Sequence, residues 1–281
     1  LVLQETMADA VAESVTYGSV PESCRGICRY QSMEVILHEV QVMTLTGAGS
    51  RRMENVGTGM EVIGVYSPIC HEMQMPFSMV LSSVLAKQRR ILYINLMQNT
   101  GFLQLFDSQA EYDIGDLTLR LRRGTTESEQ FFQSIYEMGD FSYVAPFRNP
   151  EQLGEFQMDD YRKLLAHLEE NTKFDTVVFD FGTGIPSIAA FLEECSSIYC
   201  PAKEGYFYEC QKAEFVHYLE QVKPDGMSER LQFVNLPFTA KGIRGGGNML
   251  EQLVWSEFGD YIRDYLACLL YTSPSPRDGL L

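Results

Sequence analysis

Short apolar runs alternate with amphipathic stretches from residue 60 to residue 266. The runs are apolar at consecutive positions, which is typical of strands buried on both faces of a parallel sheet. The amphipathic stretches have the spacing of surface helices. The pattern predicts strands within 60–68, 91–96, 141–146, 174–182, 196–202 and 230–237, and helices over Phe77–Gln88, Asp113–Arg123, Thr126–Met138, Asp159–Asn171 and Tyr208–Val222. This alternation predicts a doubly wound, mostly parallel α/β sheet flanked by helices.

Composition narrows the classes of function. The chain has 281 residues, is 45% hydrophobic and carries a formal net charge of -16. Such an acidic balance disfavours sequence-independent binding to nucleic acid, although Arg120, Arg122 and Arg123 form a dense basic cluster. No apolar run approaches the ~20 residues of a membrane span, so we predict a soluble, cytoplasmic protein. The seven cysteines and four histidines lack the spacing of a metal site or a catalytic triad.

The two ends of the chain differ from its middle. Residues 28–42 have the pattern of a short amphipathic helix that closes an N-terminal piece, 1–43, and residues 44–60 are rich in Gly, Thr and charge, as linkers are. The main domain is predicted to span 61–267. Residues 268–281 resemble a translated sequencing adapter, and we expect them to be an artefact.

The loop after the first strand of the main domain is the place to look for a ligand, because open parallel sheets bind ligands at the carboxyl ends of their strands. A working P-loop has Gly-Lys-Ser/Thr at the start of the following helix: the lysine neutralises the phosphates and the hydroxyl holds magnesium. Here Met73, Gln74 and Met75 stand at those positions. Loss of the lysine alone predicts a roughly tenfold to hundredfold weaker hold on a triphosphate. The candidate loop residues are Ile69, Cys70, His71, Glu72, Met73, Gln74, Met75 and Pro76.

A second candidate lies at the end of the strand in 174–182. Two β-branched residues are followed by Asp180 and the turn Gly182-Thr183-Gly184, which has the form of a Walker B strand whose acid orients magnesium. The same aspartate is equally consistent with a residue that caps the following turn. Arg244, in a glycine-rich loop, could reach a ligand or could simply belong to a flexible turn.

Five segments together resemble the septum-site and partition ATPases, the MinD/ParA-like family of the SIMIBI class of P-loop NTPases. They are MEVIGVYSP, LAKQRRILYINL, FDTVVFDFGTGI, IYCPAKEG and LEQLVWSEFGDYIRDYL. The order of parts is similar to CpaE-like pilus-assembly proteins, which implies that 1–43 is the end of a receiver-like module. Members bind ATP between two subunits with a second, early lysine and an acid after the second strand. Those positions are Ile69 and Asn95 here, and Asp180 alone matches the magnesium-associated residue.

The resemblance implies a P-loop NTPase fold whose Walker A motif is degenerate. We therefore expect a pseudo-ATPase: a platform for protein partners, or a homodimer, in bacterial division, partition or pilus localisation. Two alternatives stay open: a weak ATP-binding switch that uses Asp180 as its magnesium ligand, and the output domain of a receiver-like signalling protein. No cofactor is certain at this stage, with ATP and magnesium the candidates.

Overall fold

A seven-stranded sheet organises the chain in the computed structural model, which describes residues 2–4, 26–28, 59–124, 131–223 and 227–272. Two short strands pair in parallel in a separate sheet. The strands are β1 (Val2–Gln4), β2 (Gly26–Cys28), β3 (Glu61–Tyr66), β4 (Ile91–Leu96), β5 (Ile135–Met138), β6 (Phe141–Val144), β7 (Thr176–Phe181), β8 (Ser197–Ala202) and β9 (Leu231–Asn235). The order across the main sheet is β5-β6-β4-β7-β3-β8-β9.

All neighbours in the main sheet are parallel except β5 and β6, which pair antiparallel at one edge. The mostly parallel sheet predicted from the sequence is thus confirmed. The prediction of a helix-rich connection over Thr126–Met138 is wrong at its end, because Ile135–Met138 is the edge strand. Its four residues are too few to display a period, and partial exposure leaves them without a continuous apolar run.

Helices cover both faces of the sheet and enclose a hydrophobic core on each. They are α1 (Gln74–Leu85), α2 (Phe102–Leu105), α3 (Ile114–Arg123), α4 (Met158–Asn171), α5 (Ile188–Glu193), α6 (Tyr206–Val222), α7 (Met249–Val254) and α8 (Glu257–Thr272), with 3₁₀ turns at Pro150–Glu155, Met227–Arg230 and Ala240–Gly242. Residues of α1, α7 and α8 contribute to one core. Residues of α3, α4, α5 and α6 contribute to the other.

Helix α1 is the most deeply buried of the described helices and sets the position of the candidate loop. It begins at Gln74, three residues before the predicted start at Phe77, and ends at Leu85 rather than Gln88. Ten of its twelve residues are buried, from Gln74 to Ser83. The earlier start has no signal in the sequence, because Met73 precedes the helix without a side-chain cap.

Expectations about the two ends fall largely outside the described residues. Cys28 is described and belongs to strand β2 rather than to the helix predicted over residues 28–42. The described residues do not include the remainder of that helix, the rest of the 1–43 module apart from β1 and β2, or the 44–58 part of the linker. At the other end, α8 continues beyond residue 267 to Thr272, and residues 273–281 are outside.

Candidate functional site

Gln74 points into the protein from the first position of α1. Its amide nitrogen donates to Asp180 Oδ1 at 2.6 Å and to the carbonyl oxygen of Phe181 at 2.9 Å. Its amide oxygen accepts from the backbone N–H of Ser67 at 2.9 Å. The side chain therefore joins the end of β3 to the end of β7, at the position where the family resemblance expects a lysine.

Asp180 is the centre of a buried polar network. The hydroxyl of Tyr93, on the adjacent strand β4, donates to Asp180 Oδ2 at 3.0 Å. Asn95 Nδ2 donates in turn to the Tyr93 hydroxyl at 3.0 Å, and Asn95 Oδ1 accepts from the backbone N–H of Met97 at 2.9 Å. Asn95, a candidate from the sequence, thus reaches Asp180 only through Tyr93, which the sequence reading missed because an internal tyrosine looks like ordinary core.

Burial governs the ionisation of this aspartate. It is fully enclosed, and desolvation raises the pKa of Asp180 to about 6, although hydrogen bonds from Gln74 and Tyr93 act in the opposite direction. No cation contacts the carboxylate among the described residues. The charge of the Asp180 carboxylate is therefore stabilised only by neutral hydrogen-bond donors, which stabilise it less than a lysine or a metal ion would.

The backbone of the loop makes its hydrogen bonds within the loop. The N–H of His71 donates to Ser67 Oγ at 2.9 Å, and the N–H of Met73 donates to His71 Nδ1 at 3.0 Å. The N–H groups of Cys70 and Gln74 donate to the carbonyls of Ser67 and His71. In a phosphate-binding loop such N–H groups point at the ligand. Here four of them already have acceptors in the chain.

His71 holds the loop from a buried position. Because its Nδ1 accepts from Met73, its Nε2 carries the proton and donates to the carbonyl of Leu236, just after β9, at 3.3 Å. Burial lowers the pKa of His71 and favours this neutral form. The next residue, Glu72, pairs at 3.1 Å with Lys203, between β8 and α6. Both contacts connect the loop to the β8–β9 side of the sheet.

A cavity of about 410 Å³ lies beside the loop, at the carboxyl ends of β3, β4 and β7. Of the candidates from the sequence, Cys70, His71, Glu72, Gln74, Met75 and Gly182 line it. Ile69, Met73, Pro76, Asn95, Asp180 and Arg244 do not. Arg244 is exposed in a loop whose Gly246 N–H donates to Leu105 on α2 at 3.1 Å. The structure therefore does not bring Arg244 to the candidate site.

Gly182 has a packing role in this geometry. A Cβ at this position would lie 2.8 Å from Met97 Cα and 3.0 Å from the carbonyl oxygen of Leu96. Its own N–H donates to that same carbonyl at 2.9 Å. The ends of β4 and β7 can approach this closely only when residue 182 lacks a side chain.

The residues at this place do not fit a magnesium–triphosphate group. A metal ion beside Asp180 Oδ1 would have to displace the Gln74 amide, and Met75 offers a thioether where magnesium prefers oxygen. The lining includes Glu72 but no lysine or arginine.

The described part of the chain also holds no cluster of three or more His, Cys, Asp or Glu side chains suited to a metal ion. None of its helices is long and apolar enough to cross a membrane.

The sheet order and the loop that runs from the interior strand β3 into the buried helix α1 define a doubly wound α/β fold. Comparison with solved structures makes this more specific: the fold is that of the MinD/ParA-like ATPases. No protein-family model matches the chain, and no curated protein matches it.

Three of the similar structures align with this chain over nearly their whole length. A protein assigned to plasmid partition in Borrelia burgdorferi, bound to AMPPNP, has a TM-score of 0.55 at 12% identity, over 75% of this chain and 97% of its own. A ParA family ATPase from Chlorobium tepidum has a TM-score of 0.52 at 12% identity, over 78% and 94%. The MinC:MinD cell division complex of Aquifex aeolicus gives 0.53 at 11% identity, over 77% and 98%. At these identities the likeness establishes the fold.

Proposed function

We propose that this chain is a pseudo-ATPase that serves as a nucleotide-independent platform for protein partners in bacterial spatial organisation, such as division, partition or pilus localisation. The observation that carries the proposal is the hydrogen bond from Gln74 to Asp180, which puts a neutral amide where an ATPase of this fold needs a cation. The internal hydrogen bonds of the loop support it, because they leave fewer N–H groups for phosphate oxygens.

The structural relatives support the choice of process. They include a protein assigned to plasmid partition and a cell division complex between two proteins, MinC and MinD. A fold kept without its nucleotide chemistry would retain the surfaces that bind partners, whether these are other proteins or a second copy of the chain.

Calorimetric titration of the full-length chain with ATP and with ADP, each with and without magnesium, tests the proposal. We expect no saturable heat up to millimolar nucleotide, whereas a ParA-family ATPase in the same buffer should give a binding isotherm. Micromolar binding that requires magnesium would refute the proposal. Such binding would show that Gln74 leaves Asp180 when nucleotide arrives.

A weak nucleotide switch is the second candidate, and the cavity beside the loop favours it. Its volume of about 410 Å³ is within the usual range for small-molecule sites. This alternative predicts a rise in melting temperature with ATP or ADP that Asp180→Ala abolishes. No rise with either nucleotide would exclude it. The third candidate, an output domain of a receiver-like protein, depends on residues outside the described part of the chain.

A further inference from the structure

The cavity of about 410 Å³ beside the loop is lined by titratable side chains that already have partners within the chain. Glu72 is the one acidic residue of the lining; it pairs with Lys203 at 3.1 Å and accepts from the backbone of Ala240. Both ring nitrogens of His71 hydrogen-bond with backbone groups. The lining therefore offers a ligand neither a free cation nor a free carboxylate.

Neutral polar side chains of the lining, in contrast, keep unused hydrogen-bonding groups. They are Gln98, Asn99, Thr100 and Thr183. The side chains of Asn99 and Thr183 make no hydrogen bond with any described residue. Thr100 Oγ1 accepts from a backbone N–H at 3.3 Å, which leaves its O–H to donate. Gln98 Nε2 donates to a backbone carbonyl at 3.1 Å, which leaves its Oε1 to accept.

Two of these residues are held in place before any ligand arrives. The carbonyl of Pro150 fixes the amide of Gln98, and a Cβ at Gly184 would lie 2.7 Å from Gln98 Cδ, so the glycine leaves room for this amide. Asn99 and Cys70 both have φ of 52° and both line the cavity. They are two of the four non-glycine residues with positive φ in the described part of the chain. Such conformations cluster at ligand sites.

The apolar part of the lining is rich in sulfur. Met75 is buried, Met97 is partly buried, and both thioethers line the cavity together with the thiol of Cys70. The described lining contains no aromatic side chain. Thioethers adapt to irregular shapes and make favourable contacts with aromatic rings. These contacts are therefore suited to a ring that the ligand itself supplies.

The charges around the cavity favour an uncharged ligand. An anionic ligand would approach Glu72, with the carboxylate of Asp180 behind Gln74, and would meet no lysine or arginine in the lining. A charge taken out of water without a counterion is costly. A cationic ligand would have to displace Lys203 from Glu72 or Gln74 from Asp180. The open amides and hydroxyls require neither exchange.

We propose that this cavity binds an uncharged heteroaromatic ring that carries an amide, either a carboxamide or a lactam. The amides of Gln98 and Asn99 pair with the amide of the ligand, because each presents a donor beside an acceptor. The ring packs against the thioethers of Met75 and Met97. A ligand of this class goes beyond the proposed platform function, which needs no small molecule.

Two matched pairs of compounds test the class of ligand. The full-length chain is titrated with nicotinamide and nicotinate, and with uracil and orotate, followed by saturation-transfer NMR of the compound. Within each pair the rings match and a carboxylate is present in only one member. We expect saturable binding of nicotinamide, uracil or both, at least about tenfold tighter than that of the matching acid. Equal binding within the pairs, or no binding of either neutral compound, would overturn the proposal.

Alkylation of Cys70 tests the place of binding without any variant. Its thiol is exposed and lines the cavity, whereas Cys210, on α6, is exposed away from it. A neutral compound at ten times its dissociation constant should slow alkylation of Cys70 by iodoacetamide about tenfold, because about one site in ten stays empty. Peptide mass spectrometry should show an unchanged rate at Cys210. An unprotected Cys70 would overturn the proposal.

Substitutions test the two amides. Gln98→Ala and Asn99→Gly should each weaken binding about threefold to tenfold, as expected for a lost hydrogen bond, and glycine tolerates the φ of residue 99. Gln252→Ala is the matched control: it removes an exposed amide on α7 that donates to Asn248 at 2.7 Å, and binding should not change. Unchanged binding in the Gln98→Ala/Asn99→Gly double variant would contradict the role of the amides.

The carboxamide result and the nucleotide result are independent. Micromolar, magnesium-dependent ATP binding would refute the pseudo-ATPase while leaving the matched pairs to decide on the neutral ligand. Absent binding of nicotinamide and uracil in a chain that also binds no nucleotide would refute the neutral ligand while leaving the pseudo-ATPase in place.

Discussion

Removal of the Gln74 side chain should destabilise the fold strongly. Gln74→Ala deletes two donated hydrogen bonds, to Asp180 and Phe181, and leaves the Ser67 N–H without its acceptor. A hydrogen bond to a charged group contributes ~1.5–3 kcal/mol, and a buried polar group left unpaired costs ~1–3 kcal/mol. Water from the adjacent cavity can replace part of this, so we expect a loss of about 3–4 kcal/mol in the free energy of unfolding.

Urea denaturation at pH 7 measures this loss, with Gln98→Ala as the matched control. Gln98 lines the same cavity but is exposed and donates only to the Pro150 carbonyl, so its replacement should change stability by less than about 0.5 kcal/mol. The loss of a donor to the carboxylate also raises the pKa of Asp180 further, so the Gln74→Ala defect should grow between pH 5 and pH 8. A variant as stable as the parent at both pH values would refute the role given to Gln74.

Three further predictions concern the network and the close packing of β4 and β7 beside it. The pKa of Asp180 is raised to about 6 in the folded chain, so ionisation of this residue destabilises the fold as pH rises from about 4 to about 6. Asp180→Asn removes this effect, and its stability relative to the parent should improve by about 3 kcal/mol across that window. A difference in urea denaturation that does not change with pH would contradict the prediction. Tyr93→Phe should cost about 1–3 kcal/mol and more at pH 8 than at pH 4, while Tyr206→Phe, at an 87% exposed control position, should cost nothing measurable by thermal melting. Gly182→Ala should cost about 1–3 kcal/mol because its Cβ meets backbone, and Gly242→Ala, which meets nothing within 4 Å, should be neutral in the same melts; equal stability of the two variants would argue against the packing role.

The sequence predicted the sheet well because its strands are buried on both faces. Apolar runs such as Ile91-Leu92-Tyr93-Ile94, whose residues are all buried, are typical of strands covered on both faces. Edge strand β5 was not predicted from the sequence because Ile135–Met138 is short and only partly buried. The start of α1 was placed late because its first residue, Gln74, is polar and is held by tertiary contacts rather than by a cap.

The sequence pointed to the two segments that meet beside the cavity, but not to the contacts between them. Spacing along the chain identified Gln74 and Asp180 separately, but their hydrogen bond joins residues 106 positions apart. Tyr93 and Ser67 gave no local signal, because a tyrosine in a buried strand and a serine at a strand end are both common. A pattern within one segment cannot show which distant polar groups satisfy each other, and the topology of the sheet decides that.

The loop that makes its own hydrogen bonds also bears on how the chain could be re-engineered to hold an anion. Gln74→Lys alone would introduce a cation but would leave the Ser67 and His71 acceptors on the backbone amides. The same substitution would remove the amide oxygen that accepts from the Ser67 N–H. An engineered anion site would therefore require several simultaneous changes, which release the amides and supply a new acceptor for Ser67.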